Sequence, residues 1–94
     1  MPPFEFEWDP KKNQETIQDR GISFSRAAKI FSSPVVRWID HRTDYGETRW
    51  VAVGRAEGRL MTVVYTIRGR NIRIISARKA NKHERRKYYN AYLR

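Results

Sequence analysis

Between Leu60 and Arg68 the chain reads LMTVVYTIR, nearly unbroken in β-branched and apolar side chains. A run of that kind is a strand buried on both faces, not one with a wet side. It belongs in the middle of a sheet, with other elements covering it. The chain has 94 residues, room for one small domain built around that strand. A domain this size buries only about two-thirds of its unfolded surface, so its core is thin.

The flanking segments supply the rest of the sheet. Gly69-Arg70 separates Ile67 from Ile72 and predicts a two-residue hairpin of type II′, with Gly at the first turn position. Asn71 to Ala77 is the following strand. Upstream, Glu57-Gly58 predicts a turn, preceded by a strand from Arg49 to Arg55. Val35 to Asp40 is a short strand, and His41–Thr48 is a polar loop around Gly46. At the N-terminus, Phe4, Phe6 and Trp8 alternate with Glu5, Glu7 and Asp9, the period of a strand with one buried face. Asp9-Pro10 is an N-cap followed by Pro at the first helical position. That helix runs to about Arg20 and stops at Gly21, and Ile17 is its clearest apolar contact. Ser23 caps a second helix, with Phe24, Ala27, Ala28 and Phe31 at helical spacing. Pro34 ends it. Asn81 caps a third helix, and Glu84 completes a capping box. Tyr88 and Tyr92 dock that helix, while Lys82, Arg85, Arg86 and Lys87 face outward. Trp8, Trp38 and Trp50 belong to the core. The order β-α-α-β-β-β-β-α predicts an α+β fold: a small antiparallel sheet packed on one side by two N-terminal helices and one C-terminal helix. No repeat or linker divides residues 1–94, which read as a single domain.

Charge is distributed unevenly. The net charge is +10, yet residues 1–67 carry ten Lys or Arg against nine Asp or Glu. Residues 68–94 carry ten against Glu84 alone. A near-neutral fold loaded at one end is the footprint of a polyanion binder, RNA first among them. The chain has no cysteine, so disulfides and thiolate metal sites are excluded and a reducing compartment fits. No apolar run approaches the ~20 residues of a membrane span, and MPPFEFEWDP lacks the pattern of a signal peptide. The reading is cytoplasmic.

Phosphate-cradling GxxxxGK[ST], GxGxxG and HExxH are absent. His41 and His83 are not at metal-ligand spacing, so neither metal nor cofactor is expected. What remains suits metal-free RNA cleavage. A base takes the 2′-OH proton, cations hold the charge growing on phosphate, and an acid protonates the leaving oxygen. His41 and Glu47 flank the polar loop. Arg49 follows it, and Arg78 stands at the strand–helix junction. These four are the catalytic candidates. Arg70, Arg73, Lys79, Lys82, Arg85, Arg86 and Tyr88 are the RNA-binding candidates, with Tyr45 or Tyr89 as further stacking rings. Each has a plainer role open to it. Glu47 and Arg49 make a surface ion pair, Arg78 ties down carbonyls, Tyr88 is a core anchor, and the helix cations are a solvated face.

Several segments occur together. They are Phe6-Glu7-Trp8-Asp9-Pro10, Gly21-Ile22-Ser23-Phe24, Arg73 to Ala80, and Lys82 to Tyr88. In this order and spacing the chain resembles the BrnT toxins of bacterial type II toxin–antitoxin modules. The resemblance implies a fold similar to the RelE-type ribonucleases and metal-independent RNA cleavage that halts translation. It implies a BrnA-like antitoxin as partner, and contact with operator DNA only through the antitoxin complex. Gly46-Glu47-Thr48-Arg49 resembles the family's Gly-Glu-x-Arg stretch, Arg78 falls in its Ser-Ala-Arg motif, and Glu84, Arg85 and Tyr88 in its last helix. The chain departs from the family where Lys-His-Gly is common, reading Asp19-Arg20-Gly21, and at Ser25-Arg26. On this reading Glu47→Ala or Arg78→Ala abolishes toxicity and leaves the fold intact. Two other readings stand beside it: a non-catalytic basic module that grips RNA or DNA, and a basic face that only docks an acidic antitoxin segment.

Overall fold

The computed structural model describes residues 5–42 and 46–92. Phe4 and Tyr45, named above, lie outside them. The elements are β1 Glu5–Trp8, α1 Pro10–Arg20, α2 Phe24–Ala27, a 3-10 segment Ala28–Ser32, β2 Val36–Ile39, β3 Trp50–Ala56, β4 Arg59–Arg68, β5 Asn71–Lys79 and α3 Lys82–Tyr92. The five strands form one sheet in the order β1-β5-β4-β3-β2, with β4 at its centre.

Local chemistry sets the boundaries. The Asp9 carboxylate accepts from Lys11 N at 2.9 Å to open α1, and Gly21 closes it at φ 69°. Ser23 Oγ accepts from Arg26 N at 3.2 Å to open α2. The capping box of α3 forms in both directions: Glu84 N donates to Asn81 Oδ1 and Asn81 N donates to Glu84 Oε1, each 2.9 Å. Between β4 and β5, Gly69 has φ 60° and Arg70 does not have a positive φ, as a type II′ turn requires. Glu57 and Gly58 both have positive φ, 53° and 79°, the type I′ pattern.

The expectation of an antiparallel sheet is corrected at one edge. β1 pairs with β5 in parallel, Glu5 to Trp8 against Asn71 to Ile74, so the sheet is mixed. Periodicity cannot reveal this, because β1's partner comes from the other end of the chain. The helices are not confined to one side either. On one face lie Phe24, Ala27 and Ile30 against Ala52, Met61, Val63, Tyr65, Ile72 and Ile74, with Phe6, Trp8, Phe31 and Trp50 packed beside them. On the other, Tyr88 of α3 packs with Val53, Leu60 and Ala80, flanked by Val36 and Trp38. Successive strand residues point to opposite faces, so Ala52 and Val53, like Met61 and Leu60, belong to different layers. α1 docks through buried Thr16, whereas Ile17 is 38% exposed. The second helix tightens into 3-10 geometry after one α-turn.

One irregularity decides the site. Val64 pairs with Ser76 but Tyr65 with Ile74, which leaves Ile75 as an extra residue in β5. Arg73 and Arg78 are an odd number of residues apart and would face opposite ways in a regular strand. The bulge turns both to the α3 side, Arg73 beside Thr66 and Arg78 beside Thr62. That side is only half covered by α3, and its uncovered half carries the charged clefts.

Candidate functional site

Two clefts lie side by side on this half-open face. The larger, about 530 Å³, has Val51 and Val64 on its floor. Asp40, His41 and Arg42 form one wall, and Arg78, Asn81 and Glu84 the other. The smaller, about 190 Å³, is lined by Asp9, Lys12, Glu47, Arg49, Arg68 and Arg73. Val51 lines the first and Arg49 the second. They are two residues apart along β3, about 7 Å at strand spacing.

The charges of the larger cleft are mutually satisfied. Glu84, 5% exposed, accepts from Arg78 Nη1 and Nη2 at 2.7 Å each, from Thr62 Oγ1 at 2.9 Å and from Asn81 N at 2.9 Å. Burial alone raises its pKa. The hydrogen bonds from Arg78, Asn81 and Thr62 together outweigh burial and hold it below the ordinary value. Asp40, 8% exposed, accepts from Arg42 Nε and Nη2 at 2.9 Å each. The Arg42 hydrogen bonds hold its carboxyl low against burial.

The smaller cleft is more open in its pairing. Glu47 lies 3.6 Å from the Arg68 guanidinium and 4.0 Å from that of Arg49. Arg73 Nη1 donates to Glu7 at 2.7 Å, and Asn71 Nδ2 to the same carboxylate at 2.8 Å. Asn71, then Arg73, pulls the Glu7 pKa down. Lys12, Arg49, Arg68 and Arg73 outnumber the two lining carboxylates, so this cleft favours an anion.

Of the catalytic candidates, His41 shares a cleft with Arg78, and Glu47 shares the adjoining one with Arg49. Among the RNA-binding candidates, Arg73 lines the Glu47 cleft and Arg70 sits exposed in the β4–β5 turn. Lys79, Lys82, Arg85 and Arg86 are exposed at the end of β5 and along α3. Tyr88 is 7% exposed and belongs to the second core cluster, so its ring presents no face to a base. Tyr89 and Tyr92, 39% and 42% exposed, are the accessible rings of that helix. Arg20, which stands where the family commonly has His, donates from Nη1 to Ala77 O at 2.9 Å and ties α1 to β5. Sequence reasoning did not single out Lys12, Arg42 or Arg68. Arg68 had a signal: it keeps the parity of Thr62, Val64 and Thr66 along β4, the face of Arg73 and Arg78.

A family model described as the ribonuclease toxin, BrnT, of type II toxin–antitoxin systems matches residues 8–84. The chain belongs to the BrnT toxin family. No curated protein matches it. The matched span takes in both clefts and ends at Glu84. Membership of the BrnT family makes the chain one of the type II toxin–antitoxin ribonuclease toxins and implies an antitoxin as partner. Among the described residues no helix is long and apolar enough to cross a membrane.

Proposed function

We propose that this BrnT-family protein is a cytoplasmic, metal-independent endoribonuclease of RelE-like fold. It cuts RNA on the half-open sheet face and so stops translation. The observation that carries this is Glu47 set between the guanidinium groups of Arg49 and Arg68 in a cleft with a cation excess. Glu47 takes the proton from the ribose 2′-OH, and O2′ attacks the adjacent phosphorus. Arg49, Arg68 and Arg73 hold the charge on the non-bridging oxygens. The P–O5′ bond breaks, and the His41 side chain delivers a proton to the departing O5′ from the adjoining cleft. The products are a 2′,3′-cyclic phosphate and a 5′-hydroxyl. Arg78 positions Glu84 and the start of α3 and adds positive potential to the larger cleft. Arg70, Lys79, Lys82, Arg85 and Arg86 extend the phosphate track. A BrnA-like antitoxin covers the face, and operator DNA is met only through that complex.

Purified, antitoxin-free protein should cleave RNA in EDTA, leaving cyclic-phosphate ends, and Glu47→Gln should reduce the rate by about a hundredfold or more with the thermal midpoint unchanged. Intact RNA with the wild-type protein under these conditions overturns the reading. Salt-sensitive RNA binding without products would favour the non-catalytic module instead.

A further inference from the structure

A third cleft, about 360 Å³, lies on the far side of α3 from the cutting face. Arg55 of β3, Arg59 of β4, Lys79 of β5 and Arg85 of α3 converge on it, and exposed Tyr89 stands at its wall. Among the described residues no carboxylate lines it. It differs in this from the other charged clefts. Arg42, Arg68, Arg73 and Arg78 each face a carboxylate within 4.0 Å, whereas among the described residues none of the third cleft's four cations makes an ion pair. The nearest acid along the chain, Glu57, is held by Arg26 at 2.7 Å and Lys29 at 2.8 Å, in a neighbouring pocket that Arg59 also lines. Four convergent cations without a counter-charge repel one another, and an anion relieves that. Arg55 is held in place over the Tyr88 ring, 5.8 Å from its centroid, and Arg85 by a 2.8 Å bond to Ala80 O. These two forks are therefore positioned before any ligand arrives.

We infer that this cleft is a phosphate-binding exosite for single-stranded RNA, with Arg55, Arg59, Lys79 and Arg85 on the backbone and Tyr89 stacking on a base. Glu84 and Arg85 are neighbours on α3, one lining the cutting face and the other the exosite. Exposed Lys82 and Arg86 stand on the same helix. A strand crossing α3 over these two cations would join the clefts. Arg85 and Tyr89 lie beyond the span that matches the family, residues 8–84. An acidic peptide would meet the four cations equally, but the exposed aromatic ring beside them suits a base. The inference takes from the proposed function that this protein binds RNA, not that it cuts it.

The test is equilibrium binding of a 2′-O-methyl oligoribonucleotide, which no 2′-OH attack can cut, to the full chain over a salt series. Arg59→Gln should weaken binding and lower the slope of log affinity against log salt by about 0.7, one phosphate contact on a single strand. Tyr89→Leu should weaken binding about tenfold and leave that slope unchanged. Circular dichroism checks that both variants fold; Arg59 and Tyr89 are exposed, so both should. Unchanged affinity and slope in Arg59→Gln overturn the exosite. So does loss of binding to a poly-glutamate peptide with RNA affinity intact, which would assign the cleft to an acidic protein partner. If the wild-type chain cleaves no RNA yet Arg59→Gln shows the predicted slope, the nuclease reading fails and the exosite stands.

Discussion

Glu84, read in the sequence as half of a capping box, closes that box and also holds a buried ion pair. Its motif neighbour Arg78 supplies two of the four hydrogen bonds it accepts. Arg78→Ala would leave a buried carboxylate with only Thr62 Oγ1 and the Asn81 N–H. Breaking a fully buried pair costs about 3–5 kcal/mol, and the Arg78 side chain is 34% exposed, so about 2 kcal/mol is expected here. The thermal midpoint should fall by about 10 °C in calorimetry. The expectation that Arg78→Ala leaves the fold intact is corrected accordingly, and lost toxicity in that variant would report stability. Glu47→Gln is the cleaner probe of chemistry. The same carboxylate sets a pH dependence. The folded pKa of Glu84 lies below its ordinary 4.5, so its stabilisation is complete above that pH and is lost as pH falls through the folded value. Urea midpoints of wild type and Glu84→Gln should differ most near neutrality and converge in acid.

At the scale of elements, caps and turns were legible because each is a contract between residues a few positions apart. Asp9-Pro10, Gly21, Asn81 with Glu84, and Gly69-Arg70 all do what their types dictate. The close approach at Gly54 was not legible. A Cβ built there would meet Val35 Cγ1 at 2.8 Å and Ile30 Cβ at 3.1 Å, so β3 admits the 3-10 segment only because this residue has no side chain. Gly54→Ala should cost about 1–3 kcal/mol, seen as a lower urea midpoint at unchanged m. Nor does strand periodicity bring the arginines of β5 together. Counting by twos separates Arg73 from Arg78, and only the extra residue Ile75 reunites them on one face.

For the whole molecule, net charge governs behaviour in salt. With +10 on 94 residues, self-repulsion weighs against the compact state and salt screens it. Salt also weakens the exposed ion pairs, but these contribute only about 0–1 kcal/mol each. The antitoxin-free protein should therefore melt at a higher temperature as sodium chloride is raised, by differential scanning calorimetry, while its affinity for RNA falls. A midpoint that drops with salt would show the ion-pair network outweighing repulsion.

The sequence alone determined the five strands and the places of the three helices, the central position of Leu60–Arg68, the caps and turns, the basic C-terminal third and the family motifs. All of these are written in local spacing or in composition. Only the tertiary structure decided that β1 lies parallel to β5, that α3 covers the face opposite α2 and the 3-10 segment, and that Glu47 stands between Arg49 and Arg68. It also gathered Arg55, Arg59, Lys79 and Arg85 into one cleft that no carboxylate lines among the described residues. Those four come from three strands and a helix. Their convergence depends on strand order, hairpin registers and the docking of α3 by Tyr88, none of which a one-dimensional pattern of residue types encodes.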